Sequence, residues 1–167
     1  VIVAVGAPHA ARLLTSADAE LAAELGKIQY AGATIAVGCY KLDQIANPLN
    51  AFGFVVPDAE RRDILAASFS RRKFPGRAPE GCVIIRTFLG GAMRPDLVDA
   101  SDADVGKIVS RELGEILGLR GEPHVWEIVR WNRAMPQYHL GHLDLVDRIE
   151  ARVVTLPGFA LAGNAYR

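Results

Sequence analysis

The run Cys82-Val83-Ile84-Ile85-Arg86-Thr87-Phe88-Leu89-Gly90-Gly91 decides the fold. Its apolar and β-branched residues suit a pleated, half-buried strand, and the paired glycines end it. Before it, residues 64–70 read as a strand, and residues 53–56 as another that stops at Pro57. The loop over 71–80 carries Pro75, Gly76 and Pro79. No helical pattern lies between these three runs. Strands that follow one another without crossover helices pair antiparallel. The expected class is therefore α+β, an antiparallel or mixed sheet flanked by helices.

Farther out, residues 33–42 form a strand ahead of the turn Asn47-Pro48-Leu49-Asn50. On the other side, Ser101-Asp102-Ala103-Asp104 opens a helix. Its stripe is Val105, Ile108, Val109, Glu112, Leu113, Ile116 and Leu117, and Gly118 or Gly121 closes it. A strand over 124–131 follows. Past Pro136, a helix over 140–151 lines up Leu143, Val146 and Ile149. Near the start, Thr15 or Ser16 is expected to cap a helix over 17–26, with Leu21 and Leu25 on one face.

The ends are apolar. Val1-Ile2-Val3-Ala4-Val5 before Gly6 and Pro8 reads as a buried parallel strand. Phe159-Ala160-Leu161-Ala162 reads as a short strand running into a Gly163-Asn164 turn. A sheet of two strands is marginal alone. The chain is thus expected to be a piece of a larger α/β protein, without a secretory leader.

Half of the 167 residues are hydrophobic and 23% are charged, which excludes a disordered segment. No apolar run reaches the ~20 residues that span a bilayer. Nineteen basic side chains balance nineteen acidic ones, so no electrostatic footprint for nucleic acid is present. Cys39 and Cys82 lack metal-ligand spacing and are expected as reduced core residues of an intracellular protein.

Three runs carry a resemblance: Ala51-Phe52-Gly53-Phe54-Val55-Val56-Pro57, Phe74-Pro75-Gly76-Arg77-Ala78-Pro79-Glu80-Gly81 and Pro136-Gln137-Tyr138-His139-Leu140-Gly141-His142. With the closing Leu161-Ala162-Gly163-Asn164-Ala165-Tyr166, the whole chain resembles the carboxy-terminal half of the flavin-dependent protoporphyrinogen/coproporphyrinogen oxidases. The resemblance implies an amine-oxidase-like fold with FAD as cofactor. Residues 1–14 would be a strand and turn of the flavin-binding α/β domain, and 15–151 the substrate domain. Residues 152–167 would return into the flavin domain. It also implies a six-electron oxidation of a porphyrinogen to the porphyrin with O2 as acceptor. The family's G-x-G-x-x-G fingerprint is not in these residues, so the 167 residues alone are expected to be inactive.

As partners, the resemblance implies a tetrapyrrole substrate and an amino-terminal flavin-binding half, in a cytoplasmic protein. It leaves room for a homodimer and for peripheral contact with a membrane. As substrate-lining positions it implies Phe52, Gly53, Val55, Leu65 and Phe88, and as flavin contacts Trp131 and Ser68. Trp126 is expected only to pack. Replacing Gly53 with Val is expected to restore strand propensity. The alternatives are another amine-oxidase-fold flavoenzyme, such as a carotenoid desaturase or amine oxidase, and a non-catalytic binding module.

Other constellations read as structural. His139, His142 and Asp144 lack a further metal ligand nearby. Ser16 and Asp18, or Ser68 and Ser70, have no G-x-S-x-G elbow around them. Arg71, Arg72, Lys73 and Arg77 read as a solvated loop that could attract carboxylates or an anionic surface. Gly90-Gly91 has no following Lys or helix, so it makes no phosphate cradle. No general acid or base is assigned.

Overall fold

The computed structural model describes residues 1–166, which leaves Arg167, the last residue of the expected 152–167 segment, outside the described residues. In chain order the elements are β1 (Ile2–Val3), α1 (Ala7–Leu14), α2 (Ala19–Gly26), β2 (Tyr30–Lys41), β3 (Gly53–Val55), β4 (Ala66–Phe69), α3 (Ser70–Lys73), β5 (Cys82–Gly90), α4 (Asp102–Leu117), β6 (Val125–Pro136), α5 (His142–Val153) and β7 (Ala160–Leu161). They divide into two compact units, residues 1–31 with 133–167, and residues 32–132. These bounds differ from the expected divisions at 14/15 and 151/152, because α2 and α5 pack with the terminal segments.

In the first unit, β1 pairs parallel with β7, Ile2 opposite Ala160 and Val3 opposite Leu161. The pair is short and its start is open: Val1 is 85% and Ile2 72% exposed, so the expected buried strand over Val1–Val5 is corrected to two residues. The rest of that stretch turns into α1 rather than into a simple turn. Gly6 is its N-cap and Pro8 stands in its first turn, where a missing N–H costs nothing. Ala7, Ala10 and Leu14, spaced for one helix face, are buried with Leu21, Leu25, Ile28 and Ile149. The cap of α2 is Asp18, not Thr15 or Ser16. Its carboxylate accepts the Leu21 N–H at 2.9 Å and holds Arg152 of α5 at 2.9 Å.

In the second unit the five strands lie in the order β3-β4-β5-β2-β6. Pairing is antiparallel between β3 and β4, β4 and β5, and β5 and β2, as successive strands required. Alternation along β5 buries Val83, Ile85, Thr87 and Leu89 and leaves Cys82, Ile84 and Phe88 half-buried and Arg86 exposed. On the buried side Ala67, Phe69 and Tyr40 join Val105, Val109, Leu113 and Leu117 of α4 in one core. Ser101 caps α4 by accepting the Asp104 N–H, and Gly118 ends it in the left-handed region at φ +65°.

Glu112 interrupts the apolar stripe of α4 and is 3% exposed. It is tolerated because Arg62 reaches it at 2.9 Å and Arg111 at 2.9 Å. Burial alone would push its carboxyl up, but the hydrogen bonds from Arg111 and Arg62 outweigh that and hold it below the usual range. Asp63, bonded by Arg94 and Arg111, is lowered in the same way.

Candidate functional site

The register sets out what the other side of the five-stranded sheet presents. One row across it is Val55–Ala66–Phe88–Ile35, and the next is Gly53–Ser68–Arg86–Val37. Residues directly opposite one another share a face, so Val55, Ser68 and Phe88 stand on one side with Arg86, Ile35 and Val37. Most of this face is half-buried, and Val55 at the edge is 80% exposed. On β6, Trp126 and Ile128 pack against the core, so alternation turns Val129 and Trp131 to the uncovered side. Trp131 is 54% exposed there.

Five of the seven expected site residues therefore belong to this face: Gly53, Val55, Ser68, Phe88 and Trp131. Two do not. Phe52 precedes β3 and stands in a shallow cleft of about 280 Å3 with Asn50, Ala51 and Arg72. Leu65 precedes β4, donates its N–H to the Phe88 carbonyl at 2.7 Å, and lies beside Gly91.

Gly53 carries a different constraint from the one expected. Its φ is +153°, and a Cβ built there would stand 2.2 Å from the Ala67 carbonyl oxygen. The close approach is made by strand β4. The expectation that Gly53→Val would restore strand propensity is overturned, because backbone fills the space that the side chain needs.

The face is apolar around Arg86 at its centre, and its other charged positions, Lys41 at the far end of β2 and Glu127 on β6, lie away from it. The Arg86 guanidinium lies 5.3 Å from the centroid of the Phe88 ring. Sequence reasoning passed over Arg86, although its alternation with Phe88 was visible. Cys39 and Cys82 are free thiols at the far end of the same face, half-buried rather than in the core as expected. Burial pushes the Cys39 thiol up, and the neighbouring Cys82 adds to it.

The remaining constellations resolve locally. The Arg71 guanidinium donates to the Cys82 carbonyl at 3.0 Å, and Arg72 to the Leu49 carbonyl at 3.0 Å. Lys73 and Arg77 flank the exposed Phe74 ring. The Nε2 of His139 meets the Oε1 of Gln29 at 3.1 Å, whereas His142 packs edge-on to Tyr138. Among the described residues no group of three or more His, Cys, Asp or Glu could hold a metal ion. Among them, too, no helix is long and apolar enough to cross a membrane. A separate cleft of about 710 Å3 is lined by Tyr40, Lys107, Ser110, Glu122 and Trp126 among others. Burial, then Glu122, pushes the Tyr40 hydroxyl up to about 12.

Comparison with known proteins decides the class. The model of the flavin containing amine oxidoreductases matches residues 1–167. The chain belongs to that family. Within it, the chain is 33% identical over 172 residues to a coproporphyrinogen III oxidase of Propionibacterium freudenreichii subsp. freudenreichii, covering 99% of this chain and 31% of that protein. It is 31% identical to a mitochondrial protoporphyrinogen oxidase of Nicotiana tabacum, over 83% of this chain and 28% of the relative. A crystal structure from Exiguobacterium sp. 255-15, assigned as a protoporphyrinogen oxidase, superposes with a TM-score of 0.81 at 28% identity. It covers 99% of this chain and 36% of that one. A UDP-galactopyranose mutase shares the fold alone, at 14% identity and a TM-score of 0.72. The chain thus spans under a third of the length of these two curated relatives.

A flavin is the family's cofactor, and the uncovered face suits one. A flavin ring is flat, with a π face and a hydrogen-bonding edge. Trp131 offers an exposed indole, and the Ser68 hydroxyl forms no hydrogen bond among the described residues.

Proposed function

We propose that the protein containing this chain is an FAD-dependent porphyrinogen oxidase, and that the uncovered sheet face of residues 32–132 is its substrate wall. The observation that carries this reading is the gathering of Val55, Phe88 and Trp131 on one side of the sheet, away from the α4 core. A porphyrinogen is a wide apolar macrocycle, and a broad apolar wall with an aromatic side chain on it is what such a ring needs. The reaction is the six-electron oxidation of protoporphyrinogen IX or coproporphyrinogen III to the porphyrin, in three two-electron steps with O2 as final acceptor. The flavin, when bound, supplies the two-electron redox chemistry.

This chain's own residues orient the ring and exclude water. Phe88 and Val55 form the apolar floor, and Gly53 brings backbone to the edge without a side chain. Trp131 and Ser68 would meet the flavin, Trp131 by stacking and Ser68 by a hydrogen bond from its hydroxyl. Phe52 and Leu65 stand at the margins and would border the ring. The first and last segments would belong to the flavin-binding domain, completed by residues outside these 167. Similarity over the whole chain to porphyrinogen oxidases supports the reading.

The test is made on the full-length protein, purified with its flavin and offered each porphyrinogen in air. Porphyrin fluorescence should rise far above the spontaneous rate, with O2 consumed. No enzymatic rise with either substrate would overturn the reading.

A further inference from the structure

We propose that Arg86 is a carboxylate-binding residue at the centre of the uncovered sheet face, taking one acid side chain of the tetrapyrrole. The inference rests on the porphyrinogen reading above and adds a recognition site to it. Arg86 stands between Ser68 and Val37 in the register, with Phe88 and Ile84 on the same side of its own strand. Its guanidinium lies against the Phe88 ring and forms no hydrogen bond or ion pair among the described residues.

Other arginines of the same unit show how the fold treats a guanidinium it needs. Arg130, among the inward positions of β6, donates to the Ala100 carbonyl at 2.6 Å and pairs with Asp102 at 2.6 Å. Arg62, Arg94 and Arg111 are held by carboxylates. Arg86 has no such partner among the described residues. No acidic residue falls on this face of β2, β3, β4 or β5. On β6, Glu127 alternates onto the uncovered side, but β2 stands between it and Arg86.

A cation unpaired within an apolar field selects a ligand that is itself apolar with an anionic edge. A guanidinium presents a planar fork of N–H donors that fits a carboxylate through two parallel hydrogen bonds. The Phe88 ring, with its centroid 5.3 Å from the guanidinium carbon, keeps the group on this face. A macrocycle laid over Phe88 would also displace water from the ion pair, which strengthens it.

The experiment titrates the full-length, flavin-loaded protein with coproporphyrin III and, separately, with its tetramethyl ester, following porphyrin fluorescence. Wild type should bind the free acid at least ~tenfold more tightly than the ester, the range of one charged hydrogen-bonded contact. Arg86→Met should lose about that factor for the acid and nothing for the ester, while Arg86→Lys keeps part of the preference. Melting temperatures should change little, since Arg86 forms no hydrogen bond or ion pair among the described residues and its ring contact with Phe88 is at an exposed side chain. An acid preference that survives in Arg86→Met would overturn the proposal, as would equal weakening of acid and ester. Equal wild-type affinity for both forms would overturn the Arg86 assignment and leave the porphyrinogen reading standing. Failure of wild type to bind either form would overturn this inference, while the porphyrinogen reading is decided by the turnover test with both substrates.

Discussion

The two faces of the five-stranded sheet are made by the same strands and differ in almost everything else. One face carries Val83, Ile85, Leu89, Ala67 and Phe69, all buried against α4. The other carries Phe88, Arg86, Ser68 and Val55 in the alternate positions of those strands, half-buried or exposed. Adjacent residues such as Phe88 and Leu89 are therefore assigned opposite work by a period of two. The covered face supplies stability, and the uncovered face is free to carry a site.

The largest effect that would sharpen this contrast is expected at Gly53. Its φ of +153° and the Ala67 carbonyl at 2.2 Å leave no room for a side chain. Gly53→Val should therefore lower stability by about 3 kcal/mol, combining overpacking with backbone strain. Denaturant titration of the full-length protein checks it. An unfolding free energy equal to or above that of wild type would show that β3 shifts freely, and the edge of the uncovered face would then be soft.

Next in size is the pH dependence of the covered side. Glu112 and Asp63 have carboxyl groups held below their ordinary values in the fold. A depressed folded value means that the contribution is fully present above the unfolded value, ~4.3 for Glu and ~3.9 for Asp, and is lost as pH falls through the lower folded one. Glu112→Gln should cost about 2 kcal/mol at pH 7 and flatten the loss of stability below about pH 4.5. The measurement is melting temperature against pH for both proteins. Parallel curves would mean that Glu112 does not anchor α4 to the sheet.

The smallest stability effects should come from the two tryptophans, which divide the faces on one strand. Trp126 packs against the core, and Trp131 is 54% exposed on the other side. Trp126→Ala should lower stability by about 1–2 kcal/mol with flavin content kept. Trp131→Ala should leave stability within about 0.5 kcal/mol of wild type and reduce flavin retention. Flavin absorbance per mole of protein, measured with the melting curves, checks both. Equal flavin retention in the two variants would remove Trp131 from the cofactor.

Much of this was legible in the sequence, for reasons that can be named. The strands over 53–56, 64–70 and 82–89 and the α4 helix carry periodicities that packing had no cause to override. The helix α1 was hidden because Val1-Ile2-Val3-Ala4-Val5 reads as a longer strand. Pro8 in a first turn was the signal for a helix, and Ala7, Ala10 and Leu14 already had its spacing. The α2 cap was misplaced because Thr15, Ser16 and Asp18 are all capping types. The choice of Asp18 is made by Arg152, 134 residues away. At the site, Phe88 and Trp131 could be singled out by type and resemblance. Phe52 could not be placed, since it lies just before β3, where alternation no longer binds it. Gly53 was the subtler failure, because a composition argument sees a missing side chain and only the structure shows which neighbour fills the space.

The most direct test of the separation between the faces uses its closest neighbours, Phe88 and Leu89. In the full-length enzyme, KM for the porphyrinogen and melting temperature are measured for Phe88→Ala and Leu89→Ala. Leu89 is fully buried, so its truncation should cost about 2–5 kcal/mol of stability with KM little changed. Phe88→Ala should raise KM several-fold with a much smaller loss of stability. If Phe88→Ala instead leaves KM unchanged and lowers the melting temperature as far as Leu89→Ala does, the uncovered face is a second core surface and the site lies elsewhere.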